Sequence, residues 1–251
     1  GDGPIDLAGT AFVIADTRLQ PADGDLRLAA SGPVASALAM LDLPPLSLLS
    51  RAGLSADLAE GRADVAGRLR FAVGRGARPG AVGYDVTGTL AALRSETLVP
   101  GRALTSDRLA LAVDPTELTL EGRAALDGVP LEGAFRLPIG PDAGPARVTA
   151  RAPLSAGSAG VFGVALPPGA LSGETEADLR LTLGRGAAPA LSVASTLEGL
   201  ALRLPGLGWS KPADASGRLE LAGRLGFRGA PPAFDTVALE APGLKARGRL
   251  A

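Results

Sequence analysis

The stretch RADVAGRLRFAV, residues 62–73, decides the fold. Ala63, Val65, Gly67, Leu69, Phe71 and Val73 fall on one side of a two-residue period, and Arg62, Asp64, Arg68 and Arg70 fall on the other. Side chains alternate across a β-strand, so this spacing predicts a half-buried strand of antiparallel sheet. The run then meets Gly74-Arg75-Gly76 and, shortly after, Pro79. Glycine accepts positive φ and proline cannot donate to a ladder, so the strand has to turn there.

The phrase returns. LRFAVGRG at 69–76 becomes LRLTLGRG at 179–186, 110 residues on. Ala177, Leu179, Leu181 and Leu183 share a face opposite Glu174, Glu176, Asp178 and Arg180. Leu109, Leu111 and Val113 alternate after Arg108, as Leu219 and Leu221 do after Arg218. DLRLAASG (25–32), LTLEGRAAL (118–126), LEGAFRLP (131–138) and LKARGRL (244–250) read as further strands. About a dozen short strands with turn signals roughly every 8–12 residues indicate an all-β chain. Self-similarity at this distance predicts a duplicated sheet unit. The expected organisation is a first unit over 1–138, a loop-rich connection over 139–170 and a second unit over 171–251, together one continuous domain.

One segment breaks the alternation. In SGPVASALAMLDLPPLSLLSRAGLS (31–55), Val34, Leu38 and Leu41 have helical spacing, with Ser31 as cap and Pro33 at an early helical position. The sequence predicts a helical segment around 33–52, interrupted at Pro44-Pro45, with a second short run from Leu46 to Ala52 stopped by Gly53. Its polar side lacks the basic stripe of a membrane-surface helix, so it is expected to cover the open end of a sheet.

Composition narrows the chemistry. The 251 residues are 46% hydrophobic but only 3% aromatic, so the apolar surfaces are smooth walls of Leu, Ala and Val. Net charge is −1 with charges scattered singly, which gives no electrostatic footprint for nucleic acid. There is no Cys and no His. That excludes disulfides, Ser–His and Cys–His nucleophile systems, and His or Cys metal ligands. No apolar run reaches the roughly 18 residues of a membrane span. The chain opens Gly1-Asp2-Gly3-Pro4, with neither Met nor a leader, and reads as an internal piece whose anchor would lie elsewhere.

Three polar arrangements remain. Glu174, Glu176 and Asp178 could form a carboxylate pair or a loose calcium site, but alternation puts them on the solvent face. Ser210 and Lys211 are adjacent, which in a strand sends a Ser–Lys pair to opposite faces. The Gly-Arg-Gly turns have no lysine and no following helix to hold phosphate. The expectation is a chain that binds, carries or supports, and is not an enzyme. Its aliphatic faces would either close on each other as a sandwich or curl into an open trough for acyl chains.

LPPLSLLSRAGL with GRADVAGRLRFAV, then YDVTGTL, VPGRALTSDRLAL and LTLEGRAALDGVPLEGAFRLP, resembles a run of the AsmA-like superfamily, closest to its large bacterial members with a central domain of unknown function. LPGLGWSKPADASGRLEL (204–221) resembles their recurrent Trp followed by Lys-Pro. The resemblance implies a mainly β fold of curved antiparallel sheet, forming an open taco-like groove. It implies a periplasmic bridge-like protein that conducts phospholipid or other acyl lipid between inner and outer membranes, without cofactor or metal. An inner-membrane anchor would sit in a segment outside this chain. No catalytic residue carries over; the positions that do are the inward apolar ones, Leu69, Phe71, Val73, Leu109, Leu111, Val113, Leu179, Leu181, Leu183, Leu219 and Leu221. Trp209 and Lys211 are expected to anchor a headgroup at the groove edge, with Trp209 packed under a loop as the alternative.

Overall fold

The computed structural model describes residues 3–41, 56–74, 82–99, 101–140, 142–162, 164, 167–184, 186–227 and 230–250. The fold is mainly β, as the alternation predicts: one large antiparallel sheet that does not close, a separate three-stranded sheet and two short helices. Two compact units divide the chain, residues 1–126 with 136–143, and residues 127–135 with 144–251.

In the first unit, β1 (Ala11–Ile14), β2 (Ala22–Pro33), β3 (Glu60–Val73), β4 (Gly83–Val99), β5 (Arg102–Val113) and β6 (Glu117–Leu126) each pair antiparallel with the next. Strand β3 keeps the predicted alternation. Ala63 is buried and Val65, Gly67, Leu69, Phe71 and Val73 are half-buried, while Arg62, Asp64, Arg68 and Arg70 are exposed. On β4, a Cβ at Gly88 would run into the Asp64 carbonyl of β3, so only glycine admits this approach of the two strands. Bulges after Glu60 in β3 and after Thr105 in β5 add local twist.

Helix α1 (Val34–Leu41) forms between β2 and β3, within the predicted segment. The rest of the predicted segment, including the expected run from Leu46 to Ala52, lies outside the described residues. Ser31 is not its cap. Its backbone pairs with Asp6 on β2's open side, at 2.7 and 2.9 Å, and its hydroxyl accepts from the Arg62 guanidinium. Val34 packs with Ala59, Ala63 and Leu93, and Leu38, Leu90 and Leu109 press against that cluster. The helix covers one end of the apolar face.

In the second unit, β8 (Ala146–Leu154), β10 (Thr175–Leu183), β11 (Ala190–Ser195), β14 (Arg218–Arg224), β15 (Ala233–Ala241) and β16 (Leu244–Leu250) form the ladder in that order. Strands β9 (Leu171–Gly173), β12 (Leu200–Leu204) and β13 (Trp209–Lys211) make the small sheet. Strand β7 (Val129–Pro138) lies between β6 and β8 in the chain and contributes residues to both units.

The loop-rich connection expected over 139–170 is replaced by β8 and by helix α2 (Ala156–Val161). The inward side of β8 is mostly Ala and Val, too small to announce a strand among the prolines that flank it. A reciprocal capping box starts α2: the Ser158 N–H donates to Ser155 Oγ at 3.3 Å and the Ser155 N–H to Ser158 Oγ at 2.9 Å. Among the described residues no helix is long and apolar enough to cross a membrane.

Candidate functional site

Directly opposed residues of an antiparallel pair share a face, so the register shows which side chains meet. In the first unit, Leu69 of β3 stands between Leu26 of β2 and Tyr84 of β4. Leu111 of β5 stands between Gly88 and Leu120, and Val113 between Val86 and Leu118. Phe71 and Val73 face Gly24 and Ala22 on the same side. The six apolar positions singled out in this half therefore lie on one face, and all six are half-buried. Leu109 differs from the others, because it sits against the cluster under α1.

The second unit repeats the arrangement. Leu179 of β10 lies between Ala150 and Val193, Leu181 between Val148 and Leu191, and Leu183 opposite Ala146. On β14, Leu221 lies between Val193 and Val237, and Leu219 between Ser195 and Leu239. These five positions share one face and are again half-buried. Sequence reading missed the intervening rows on β4, β11 and β15. Tyr84, Val86 and Leu90 do alternate, and that period was the available signal.

On these faces full burial falls to alanines such as Ala22, Ala63, Ala146 and Ala177. The fully buried apolar residues larger than alanine, among those described, are Val34, Leu93, Val129, Leu197 and Leu200. Aromatic groups on these faces include Tyr84 opposite Leu69 and Phe234 opposite Gly223, and two rings meet near the first edge. There the Phe12 and Phe71 rings stack at 5.6 Å between centroids, over Gly24, where a Cβ would crowd Phe12. Phe12 is still 48% exposed.

Polar groups on or beside these faces are few. Burial, and then the Asp114 charge, raise the Tyr84 phenol above its ordinary pKa. On the opposite, wet face, the Arg68 guanidinium binds both oxygens of Asp25 and holds its carboxyl below the usual range. Glu174, Glu176 and Asp178 are exposed as alternation predicts, and Asp178 pairs with Arg151 at 3.4 Å. Among the described residues no three acidic groups gather as a cation site.

Lys211 corrects the headgroup expectation. It is 1% exposed and donates to the carbonyls of Leu197 at 2.7 Å, Leu200 at 2.8 Å and Pro212 at 3.0 Å. All three ammonium protons are used internally, which leaves none for a lipid phosphate or for Ser210. Burial holds this ammonium below its ordinary pKa, against the opposing pull of Asp214 and Glu198. The Trp209 indole donates to the Pro242 carbonyl at 2.9 Å, so the ring is tied to the β15–β16 turn. The Trp-Ser-Lys-Pro phrase is a structural fastening.

No protein-family model matches the chain, and no curated protein or solved structure matches it either.

Proposed function

We propose that the two apolar faces hold phospholipid acyl chains, and that the chain is an internal segment of a periplasmic bridge-like lipid conduit of the AsmA-like kind. The observation that carries this reading is the contrast in burial. Away from the α1 cluster, leucines run strand after strand on one face of each unit and stay half-buried, and the fully buried residues among them are small alanines such as Ala22, Ala146 and Ala177. A closed sandwich buries such rows between two sheets. Within each unit the long ladder presents an extended apolar face that needs another apolar partner.

Acyl chains fit that need. At about 0.8 kcal/mol per methylene, a chain of about 16 carbons gains on the order of 13 kcal/mol on leaving water. An aliphatic wall with few rings imposes no fixed pose, so a chain can slide with little loss. Such a conduit uses no cofactor and no catalytic group. Bulges and close strand approaches of the kind seen at Gly88 are the devices that bend a sheet into a groove. In this reading an anchor outside the chain ties the protein to the inner membrane.

Native mass spectrometry of protein purified gently from a bacterial envelope tests the proposal. The expected result is bound phospholipid in the wild type and its loss in Leu181→Asp, with the β circular-dichroism signal unchanged. A lipid-free mass, under conditions that preserve known lipid complexes, would replace the conduit with a closed structural scaffold.

A further inference from the structure

The wet face of the second unit divides its charges along the strands. At the end where β10 begins, arginines are matched by acids: Arg151 with Asp178, Arg218 with Glu220, and Arg247 with Glu240. Toward the other end arginines outnumber acids. Arg147 of β8, Thr182 of β10, Ala190 of β11 and Arg224 of β14 form one cross-strand row. In the next row, Arg180 is flanked by Thr149 and Ser192, and Arg249 follows Gly248 on β16. All four arginines are exposed, and none has a carboxylate partner among the described residues. Asp178 shares the face of Arg180 two residues away but pairs with Arg151, and Asp235 lies in the irregular stretch of β15 across from Arg249.

We infer that this patch docks on an anionic, phosphate-bearing membrane surface. The register sets Arg147, Arg180 and Arg224 opposite small or hydroxyl residues and not opposite acids, which leaves room for anions between them. Guanidinium suits phosphate because its fork of donors binds two oxygens at once, and the hydroxyls between add further donors. The patch extends over six strands from β8 to β16, about 24 Å at a strand spacing of about 4.8 Å, which suits a field of headgroups better than one phosphate. No aromatic residue joins these rows, so the stacking platforms of single-stranded nucleic acid are absent. This inference stands on the wet face and goes beyond acyl binding on the other.

The test is flotation of the full chain with vesicles containing phosphatidylglycerol, against vesicles of phosphatidylcholine alone. Binding to the anionic vesicles only, released by added salt, is expected. At about fivefold per arginine, Arg147→Gln with Arg224→Gln weakens it about 25-fold. Arg151→Gln, whose partner is an acid of the protein, leaves it unchanged. Leu181→Asp also keeps vesicle binding, which separates this result from failure of the acyl reading. Equal binding to both vesicle types, no binding to either, wild-type binding by the double variant, or capture of polyphosphate or RNA but not of vesicles would overturn the inference.

Discussion

Each unit carries one fully buried closure, and the two are built from different materials. In the first, α1 lays Val34 and Leu38 over Ala63, Leu90, Leu93 and Leu109. In the second, the chain leaves the ladder after β11, forms the small sheet and returns at β14, with Lys211 binding three carbonyls inside it. One closure is held by non-directional packing. The other is held by a buried cation whose donors are all satisfied. A hydrophobic cap can lose one side chain and relax, whereas the lysine fastening has no substitute donor. The two ends should therefore fail differently.

The largest effect is expected at Lys211. Lys211→Met keeps the volume but leaves the carbonyls of Leu197, Leu200 and Pro212 without a donor, at a cost of about 4 kcal/mol. Leu197 already holds a left-handed backbone, φ 58°, while its carbonyl accepts from Lys211. Losing that bond removes part of what holds it there. Trp209, the single tryptophan, lies two residues away, so its fluorescence reports this end alone. The denaturant midpoint read by Trp209 should fall steeply in Lys211→Met. An unchanged midpoint would mean that water replaces the ammonium.

Leu93→Ala is the matched change in the first unit. Removing a side chain that is 5% exposed costs about 3 kcal/mol through lost transfer energy and a cavity. Amide exchange in β3 and β4 should speed up while the Trp209 transition stays in place. If both respond together, the two closures are energetically coupled and the contrast fails.

A smaller effect distinguishes closed from open parts of the apolar faces. Leu109 packs under α1 and Leu181 lies in a half-buried row away from the small sheet. Leu109→Asp puts a carboxylate against the covered cluster and should cost about 2 kcal/mol or more. Leu181→Asp keeps solvent contact and should cost about 1 kcal/mol or less, with its consequence in lipid occupancy. Equal destabilisation would mean that Leu181 is as enclosed as Leu109.

The sequence carried the ladder well and the closures poorly, for a physical reason. Alternation is local, so Arg62 to Val73, Ala177 to Leu183 and the run at 244–250 announced β3, β10 and β16. Helical spacing at Val34, Leu38 and Leu41 announced α1. Strand register depends on residues far apart in the chain, so the pairing of Leu69 with Tyr84 or Leu221 with Val237 had no local sign. Lys211 is the clearest case. A lysine between serine and proline reads as solvent-facing, and its burial follows from carbonyls up to 14 residues away converging on one nitrogen. Strand β8 was hidden because alanines cover little surface and make weak periodicity.

The mildest prediction concerns the turn between β5 and β6 in the first unit. Asp114 Oδ1 accepts from the Thr116 hydroxyl at 2.6 Å, the Thr116 N–H at 2.7 Å and the Glu117 N–H at 3.0 Å. These bonds favour the charged carboxylate, the hydroxyl most, and hold its pKa below the ordinary 3.8. A carboxyl lowered in the folded state contributes stability above its unfolded pKa, and that contribution is lost as pH falls through the folded value. Protection of the Thr116 and Glu117 amides should therefore decline as pH drops below 3.8. Asp114→Asn keeps an acceptor oxygen and removes the titration, so its protection should be weaker at neutral pH and flat across the acid range. Because the group is exposed, the change should appear in local amide exchange and leave the Trp209 midpoint alone. A midpoint that shifts with this turn would show that the β5–β6 turn and the lysine-fastened end unfold as one, and the difference between the two closures would then lie in their chemistry alone.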